Sequence, residues 1–209
     1  MHSVVIVDDH PAIRMAVRAA LESSGHFRVV GEADSGPAAL AMIRDHAPAL
    51  VILDLDLPQM SGLELVDRLK ATGVPTKLLV LSGQQEAIFA TRAMQSGANG
   101  FLSKSEDMHR LVEAAQSVIA GYSVFPSSAL VSLTGPTSMG ADSIVKSLSD
   151  RELAVLQYLA RGMSNKEIAD KLLISNKTVS TYKVRIFEKL GISTLVELVD
   201  FARNQRLVS

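Results

Sequence analysis

Five polar residues in the first half of the sequence follow directly on short, largely apolar runs. They are Asp8, Asp9, Asp54, Ser82 and Lys104. Continuous aliphatic runs of this kind are typical of strands buried on both faces of a parallel sheet. Because the carboxyl ends of parallel strands line one edge of an open α/β sheet, we expect these side chains to meet at that edge. Carboxylates, a hydroxyl and an ammonium suit a divalent metal such as Mg²⁺ together with a phosphoryl group.

Helical patterns separate the apolar runs, so the strands are expected to run in the same direction. The predicted strands cover residues 3–7, 27–33, 50–53, 77–82 and 100–103. The predicted helices cover residues 11–21, 36–47, 63–71, 85–96 and 106–120. This alternation predicts an α/β fold, a doubly wound parallel sheet of the (βα)5 type.

A stretch rich in Gly, Pro, Ser and Thr interrupts the pattern and is typical of a linker. We predict a first domain over residues 1–121, a linker over 122–146 and a second domain over 147–209. The second domain has a purely helical pattern, with capping-box sequences that begin at Ser149, Ser164 and Thr194. It is predicted to be an all-α domain of four helices.

The second and third helices of this domain are joined by the short segment Leu173-Ile174-Ser175, which predicts a helix-turn-helix. One face of the third helix carries small polar side chains flanked by cations, which suits the major groove of double-stranded DNA. We expect Ser180, Thr181 and Val184 to face base edges. The residues expected to contact phosphates are Asn165, Lys166, Lys177 and Lys183.

The overall composition agrees with this division. Residues 146–209 carry eleven Lys or Arg and seven Asp or Glu, a net charge of +4, which leaves −5 for residues 1–145 because the whole chain has a net charge of −1. A basic second domain favours an anionic partner such as nucleic acid. The absence of cysteine excludes disulfides and thiolate catalysis. No signal peptide and no membrane-spanning apolar run are evident, so a cytoplasmic protein is expected.

Two groups of motifs together resemble a known family. The first comprises Asp8-Asp9-His10-Pro11, Leu53-Asp54-Leu55-Asp56-Leu57-Pro58, Gly62, Ser82-Gly83 and Lys104. The second comprises Leu148-Ser149-Asp150-Arg151-Glu152, Gly162 to Ala169, Ser175 to Val179 and Lys189-Leu190. The sequence resembles a two-component response regulator of the NarL/FixJ family, with a receiver domain and a LuxR-type helix-turn-helix domain. The resemblance extends to the BvgA/EvgA-like branch.

The resemblance implies roles for the acidic residues. Asp54 would accept a phosphoryl group from a sensor histidine kinase, of the hybrid type in this branch, or from a small acyl phosphate. Mg²⁺ would be held by Asp8, Asp9, Asp54 and the backbone carbonyl of Asp56. Lys104 would pair with Asp54 at rest and with a phosphoryl oxygen afterwards. The implied partners also include promoter DNA and RNA polymerase.

The resemblance also implies a conformational switch and a dimer. Ser82 would move toward the phosphoryl group, and Phe101 stands at the position of the family's aromatic switch. The family usually carries proline where this chain has Ser105. Phosphorylation is expected to promote homodimerisation, through Val196 and Val199 on the last helix.

Two alternatives belong to other function classes. Asp54-Leu55-Asp56 resembles the DxD motif of haloacid-dehalogenase-like phosphatases, but that motif follows the first strand, whereas here it follows the third. The other alternative is a regulator that binds DNA or protein constitutively, without phosphorylation. The complete set of five site residues argues against it, and labelling by acetyl phosphate with Mg²⁺ separates the three hypotheses.

Overall fold

The computed structural model describes residues 1–83, 86–129, 145, 147–205 and 207–208, without the side chains of residues 86 and 87. The chain divides into two compact units, residues 1–134 and 135–209, each described here by itself. Residues 130–144 and 146 of the predicted linker lie outside the described part. The predicted linker bounds therefore stay a prediction.

The first unit contains a five-stranded sheet in which every neighbouring pair is parallel, in the order β2-β1-β3-β4-β5. The strands are β1 (His2–Val7), β2 (Phe27–Ala33), β3 (Leu50–Leu53), β4 (Lys77–Ser82) and β5 (Gly100–Ser103). The predicted (βα)5 fold is confirmed. The strand interiors are aliphatic and buried, as a parallel sheet covered on both faces requires.

The helices that follow the strands are α1 (Pro11–Ser23), α2 (Gly36–His46), α3 (Gly62–Ala71), α4 (Glu86–Gln95) and α5 (Met108–Ile119). Among the boundaries that differ from the sequence prediction, two have a clear local cause. α2 ends before Ala47, because that residue is left-handed with φ 42°. α5 begins after Asp107 rather than at 106, because the Asp107 side chain accepts a hydrogen bond from the Arg110 backbone N–H.

Helices cover both faces of the sheet. On one face, alternate strand residues such as Val4 and Ile6 pack with Val17 of α1 and Val118 of α5 in one hydrophobic core. The intervening residues Val5 and Val7 point to the opposite face, since side chains alternate along a strand. With both faces covered, only the strand ends remain free to carry polar chemistry.

The second unit contains four described helices, α6 (Asp150–Ala160), α7 (Asn165–Leu172), α8 (Asn176–Leu190) and α9 (Leu195–Asn204). All three predicted capping boxes form, at Ser149, Ser164 and Thr194. The turn between α7 and α8 contains Leu173 in the left-handed conformation, with φ 49°. α8 packs on α6 and α7, and α9 packs on α6, which confirms the predicted helical domain. No helix in the described part of the chain is long and apolar enough to cross a membrane.

Candidate functional site

Backbone hydrogen bonds bring the predicted polar residues to one edge of the sheet. The Asp54 N–H donates to the Val7 carbonyl over 2.8 Å, which extends the pairing of β3 with β1 by one residue. The Lys104 N–H donates to the Ser82 carbonyl over 2.9 Å and does the same for β5 and β4. The pairing of the strands therefore fixes the backbone positions of Asp54 and Lys104, from which their side chains extend.

The Lys104 ammonium contacts two carboxylates at this edge of the sheet. Asp8, Asp9 and Asp54 line a pocket there, called the acid pocket below. The Lys104 Nζ lies 2.6 Å from Asp54 Oδ2 and 2.7 Å from Asp8 Oδ2. Asp8 and Asp54 are both buried. The sequence predicted the pair between Lys104 and Asp54, whereas the contact with Asp8 was not anticipated. One cation thus shares its charge between the ends of β1 and β3.

The pocket perturbs the protonation of both central groups. Burial raises the pKa of Asp54 to about 7: the attraction of Lys104 opposes this effect, and the negative charges of Asp56 and Asp8 add to it. Burial alone would lower the pKa of Lys104, but its attraction to the Asp54 and Asp8 carboxylates outweighs burial, so that its pKa is raised. The positive charge of the single ammonium therefore does not neutralise the negative charge of the acid pocket.

Two carboxylate oxygens are well placed for a metal ion. Asp54 Oδ1 and Asp9 Oδ1 are buried, and neither accepts a hydrogen bond from any described residue. A buried carboxylate oxygen without a donor is costly unless a cation compensates it. One ligand atom from each of Asp8, Asp9, His10 and Asp54 lies within 4.8 Å of the others. This set fits a divalent cation, and its carboxylate oxygens fit the hard Mg²⁺ ion.

The loop after β3 is held close to Asp54 by a glycine. The Gly62 N–H donates to the Leu55 carbonyl over 3.0 Å, and a Cβ at residue 62 would collide with the Asp54 carbonyl oxygen. Asp56 lies in this loop and is partly buried. The role predicted for its backbone carbonyl as a metal ligand stays a prediction.

The two predicted switch residues are both buried, Ser82 at the end of β4 and Phe101 within β5. Ser82 is fully buried and pairs in register with Ser103, and the ring of Phe101 is buried as well. The Ser105 N–H donates to Ser103 Oγ over 3.2 Å, and the two serine Oγ atoms lie 2.7 Å apart. Ser103 therefore satisfies the N–H that a proline at position 105 would lack.

Two residues near the acid pocket were missed by sequence reasoning. His10 received no role, yet its Nδ1 lies 3.2 Å from Asp8 Oδ1 and 2.6 Å from Asp9 Oδ1. Arg14 donates to the Asp8 carbonyl over 2.7 Å and pairs with Glu32 over 3.1 Å. Both stand within or just before the first turns of α1, and that proximity to the acid pair is the signal that could have found them.

In the second unit, α8 presents the face that the sequence predicted. Val179 and Ile186 are buried, while Ser180, Thr181 and Val184 are exposed. Val184 is an apolar member of this exposed face, with 56% of its surface accessible.

The polar side chains of this face are held by local hydrogen bonds. Thr181 Oγ1 donates to the Lys177 carbonyl over 3.0 Å, and Asn165 Nδ2 donates to Ser180 Oγ over 3.2 Å. The Asn165 contact links the start of α7 to the first half of α8. The Lys183 ammonium lies 5.5 Å from the centre of the Phe187 ring, at the side of the exposed face.

A groove of about 290 Å³ lies along the first half of α8. Its lining residues are Ser175, Lys177, Thr178, Thr181, Tyr182 and Arg185. Two cations and several hydroxyls suit a phosphate. Arg185 and Tyr182 were not among the predicted DNA contacts. On α9, Val196 is exposed and Val199 is partly buried.

Comparison with known protein families decides the identity. Residues 4–116 match the response regulator receiver domain, and residues 146–202 match the bacterial regulatory proteins of the luxR family. The chain is a response regulator of the NarL/FixJ family. Members of this family are DNA-binding transcription regulators and not enzymes, which rules against the phosphatase alternative.

Relatives of this response regulator match along its whole length. BvgA of Bordetella pertussis, a transcription regulator of virulence factors, is 47% identical over 207 residues, covering 99% of both chains. A transcriptional regulator of Pseudomonas aeruginosa is 50% identical over 208 residues, covering 100% of both chains. The similarity to BvgA supports the expected BvgA/EvgA-like branch.

Among solved structures, this response regulator is similar to RcsB of Salmonella enterica serovar Typhimurium bound to the promoter P1flhDC in the presence of the phosphomimetic BeF3⁻. The two chains are 27% identical with a TM-score of 0.65, and the match covers 96% of this chain and 97% of RcsB. The described receiver and helix-turn-helix units thus both have counterparts in a DNA-bound regulator.

Proposed function

We propose that this response regulator is activated by phosphorylation of Asp54 and then binds promoter DNA as a homodimer. The phosphoryl donor is a cognate sensor histidine kinase of the hybrid type. The observation that carries the proposal is the state of the Asp54 carboxylate: Oδ2 contacts the Lys104 ammonium at 2.6 Å, whereas Oδ1 is buried and accepts no hydrogen bond from the described residues. A buried nucleophile with one oxygen held and the other free is arranged for reaction.

Mg²⁺ is the cofactor in this proposal. Asp8, Asp9, Asp54 and the Asp56 backbone carbonyl hold it. When bound, it supplies the positive charge that offsets the repulsion between an anionic carboxylate and an anionic phosphoryl donor. The two buried oxygens without donors, on Asp9 and Asp54, support this assignment.

The chemical step transfers a phosphoryl group to Asp54. An oxygen of the ionised carboxylate forms a bond to phosphorus, while the bond from phosphorus to the donor's nitrogen or oxygen breaks and the leaving group keeps the electron pair. Lys104 holds Asp54 beforehand and takes a phosphoryl oxygen afterwards. Burial raises the pKa of Asp54 to about 7 even with Lys104 beside it, so further positive charge in the pocket would favour the ionised, nucleophilic carboxylate at neutral pH.

The phosphoryl group then changes the packing around Ser82 at the end of β4 and around Phe101 within β5. Ser82 turns toward the new phosphoryl oxygens and draws the β4 loop inward, and Phe101 occupies the space beneath. Both side chains are buried in the structure, so small movements there alter neighbouring contacts. The altered surface favours the dimer, in which Val196 and Val199 of α9 contribute apolar area.

DNA binding belongs to α7 and α8. Ser180, Thr181 and Val184 read base edges, because they are exposed and short. The phosphate contacts come from Asn165, Lys166, Lys177 and Lys183. The groove beside them adds Arg185. The similar regulator RcsB, solved on promoter DNA, supports the binding of promoter DNA by this chain.

Labelling with radioactive acetyl phosphate and Mg²⁺ tests the phosphoacceptor. Wild-type protein should incorporate label, and Asp54→Asn should not, because the amide is not a nucleophile. Asp45→Asn is the matched control, since Asp45 is exposed on α2, and it should label like wild type. Stoichiometric labelling of Asp54→Asn would overturn the assignment.

A further inference from the structure

His10 is the one member of the acid pocket cluster for which neither the sequence motifs nor the proposed function supplies a role. Its backbone N–H donates to Asp8 Oδ1 over 2.8 Å, which holds the His10 backbone beside the carboxylates. Its Nδ1 lies 2.6 Å from Asp9 Oδ1 and 3.2 Å from Asp8 Oδ1. The imidazole is therefore turned into the pocket rather than away from it.

The contact between His10 and Asp9 is close without forming a hydrogen bond. Asp9 Oδ1 accepts none from the described residues, although the His10 Nδ1 atom is only 2.6 Å away. The same Nδ1 atom is within hydrogen-bond distance of Asp8 Oδ1, over 3.2 Å, so one ring nitrogen faces both carboxylates of the acid pair. Asp54 Oδ1, which is buried and has no donor either, is independent evidence that the pocket is built for a positive ligand.

We propose that His10 is a ligand of the divalent cation in this pocket and makes the pocket select transition metal ions that accept nitrogen, such as Co²⁺ and Zn²⁺. The inference rests on the proposed function in one respect, that the acid pocket binds a divalent cation. It adds a nitrogen ligand from this chain, and with it a preference among cations.

The distances suit such a site. The four candidate ligand atoms, from His10 and from three carboxylates, lie within 4.8 Å of one another. Two ligand atoms of a Zn²⁺-sized ion lie at most about 4 Å apart, because each bond is about 2.0–2.2 Å long. The side chain of His10 is 52% exposed, so the ring is free to make the small rotation that closes the remaining gap.

The nitrogen ligand changes the order of affinities. Mg²⁺ prefers oxygen ligands and keeps several waters, so an imidazole adds little to its binding. Imidazole suits late first-row ions, and the intrinsic affinity of nitrogen and oxygen sites for divalent ions rises from Mn²⁺ through Co²⁺ and Ni²⁺ to Cu²⁺. A pocket of three carboxylates and His10 should therefore hold Co²⁺ more tightly than a pocket of carboxylates alone.

Calorimetric titration of the full-length protein with Mg²⁺ and with Co²⁺ tests the inference. Because the protein has other histidines, the relevant Co²⁺ signal is the part that excess Mg²⁺ displaces. His10→Ala should weaken this Co²⁺ binding by at least about tenfold and change Mg²⁺ binding less than about twofold. The visible absorption of bound Co²⁺ should also shift, because a nitrogen ligand is lost.

Two further variants guard against trivial outcomes. His109→Ala is the matched control, since His109 is 80% exposed on α5 and lies beside Glu113, and it should bind both metals like wild type. His10→Asn keeps a polar side chain at the start of α1 and should lose Co²⁺ affinity as His10→Ala does. Thermal melting of each variant checks that the receiver unit is folded.

The outcomes separate this inference from the proposed function. Equal weakening of Mg²⁺ and Co²⁺ in a folded His10 variant, or no weakening of either, would overturn the ligand role of His10 while leaving the acid pocket intact. If wild-type protein bound no Mg²⁺, or if Asp9→Asn bound it as tightly as wild type, the acid pocket itself would be wrong as the cation site.

Discussion

The Nζ atom of Lys104 lies 2.6 Å from Oδ2 of Asp54, so a cation at the end of β5 holds a carboxylate at the end of β3. The same ammonium contacts Asp8 at 2.7 Å. Because Asp54 is buried beside two further acidic side chains, this contact compensates only part of the negative charge in the pocket. The unphosphorylated receiver therefore carries uncompensated negative charge in this pocket, which a bound cation would neutralise.

Removing Lys104 should expose that negative charge as lost stability. In Lys104→Met, Asp8 and Asp54 keep their burial without the ammonium, and breaking a buried pair in this way costs about 3–5 kcal/mol. Mg²⁺ should then raise the melting temperature of the variant more than that of wild type, because the metal replaces the missing charge. Calorimetry with saturating Mg²⁺ and with chelator measures the loss of stability and the rise in melting temperature. An equal rise in the two proteins would contradict the role of Mg²⁺ as the replacement charge.

The raised pKa of Asp54 predicts a dependence of stability on pH. The folded pKa is about 7, against an ordinary value of 3.8, so between these values the folded state binds more protons than the unfolded state. Stability should therefore fall as the pH rises through this window, by a few kcal/mol at most, since each pH unit is worth about 1.4 kcal/mol.

Replacing the carboxylate with an amide removes this dependence. In chelator, Asp54→Asn should be more stable than wild type at pH 8, and the two should converge near pH 4. Urea unfolding monitored by circular dichroism across the range measures the difference, with Asp45→Asn as the control. A variant less stable than wild type at pH 8 would show that burial does not raise the Asp54 pKa.

Much of the fold and of this pocket follows from local sequence patterns. The apolar runs that precede Asp54 and Ser82 predicted strands, and the topology of parallel sheets predicted that their ends would meet. Ser149, Ser164 and Thr194 predicted helix starts because each reciprocal cap requires only residues three positions apart.

The remaining features depend on side-chain conformations that no pattern encodes. The second contact of Lys104, to Asp8, and the inward turn of the His10 ring arise from rotamers chosen by the packed pocket. The start of α5 depended on which of two adjacent acidic residues caps the helix, and Asp107 rather than Glu106 does so.

A half-buried ion pair should stabilise the DNA-binding unit. Lys189 Nζ of α8 lies 2.6 Å from Glu152 Oε2 of α6 and also donates to the Ser147 carbonyl over 3.0 Å. Burial alone would raise the pKa of Glu152, but the hydrogen bonds from Lys189 and Ser149 outweigh it and lower the pKa. The stability gained from this carboxylate is therefore complete above its ordinary pKa and is lost as the pH falls through the lowered value.

Glu152→Gln should accordingly destabilise the second unit at pH 7 by about 1–3 kcal/mol, the cost of a disrupted buried hydrogen bond. Glu188→Gln, on the exposed side of α8, is the matched control and should have little effect. Thermal unfolding at pH 7 and at acidic pH measures both variants. If the loss of stability in Glu152→Gln did not become smaller at acidic pH, its cause would be altered packing rather than the lost charge.

The orientation of α8 predicts two different kinds of DNA-binding defect. Lys183→Ala should weaken binding about equally on all sequences and reduce the salt dependence by about one counterion, as loss of a phosphate contact does. Thr181→Ala should cost about 1–3 kcal/mol at one base-pair position and relax specificity there. Binding to a set of single-base variants of a DNA selected from a random pool measures both. If Lys183→Ala altered the preferred sequence while Thr181→Ala weakened binding to all sequences alike, α8 would enter the groove with a different face.

Control of DNA binding by the acid pocket is tested most directly by measuring affinity for that selected DNA with and without BeF3⁻ and Mg²⁺. Fluorescence anisotropy on wild type, Asp54→Asn and Asp45→Asn supplies the comparison. BeF3⁻ should tighten DNA binding by wild type and Asp45→Asn by about 5–150-fold, the range of coupling between linked sites, and should leave the affinity of Asp54→Asn unchanged. An unchanged affinity for wild type, or an equal gain for Asp54→Asn, would contradict control of DNA binding by the acid pocket.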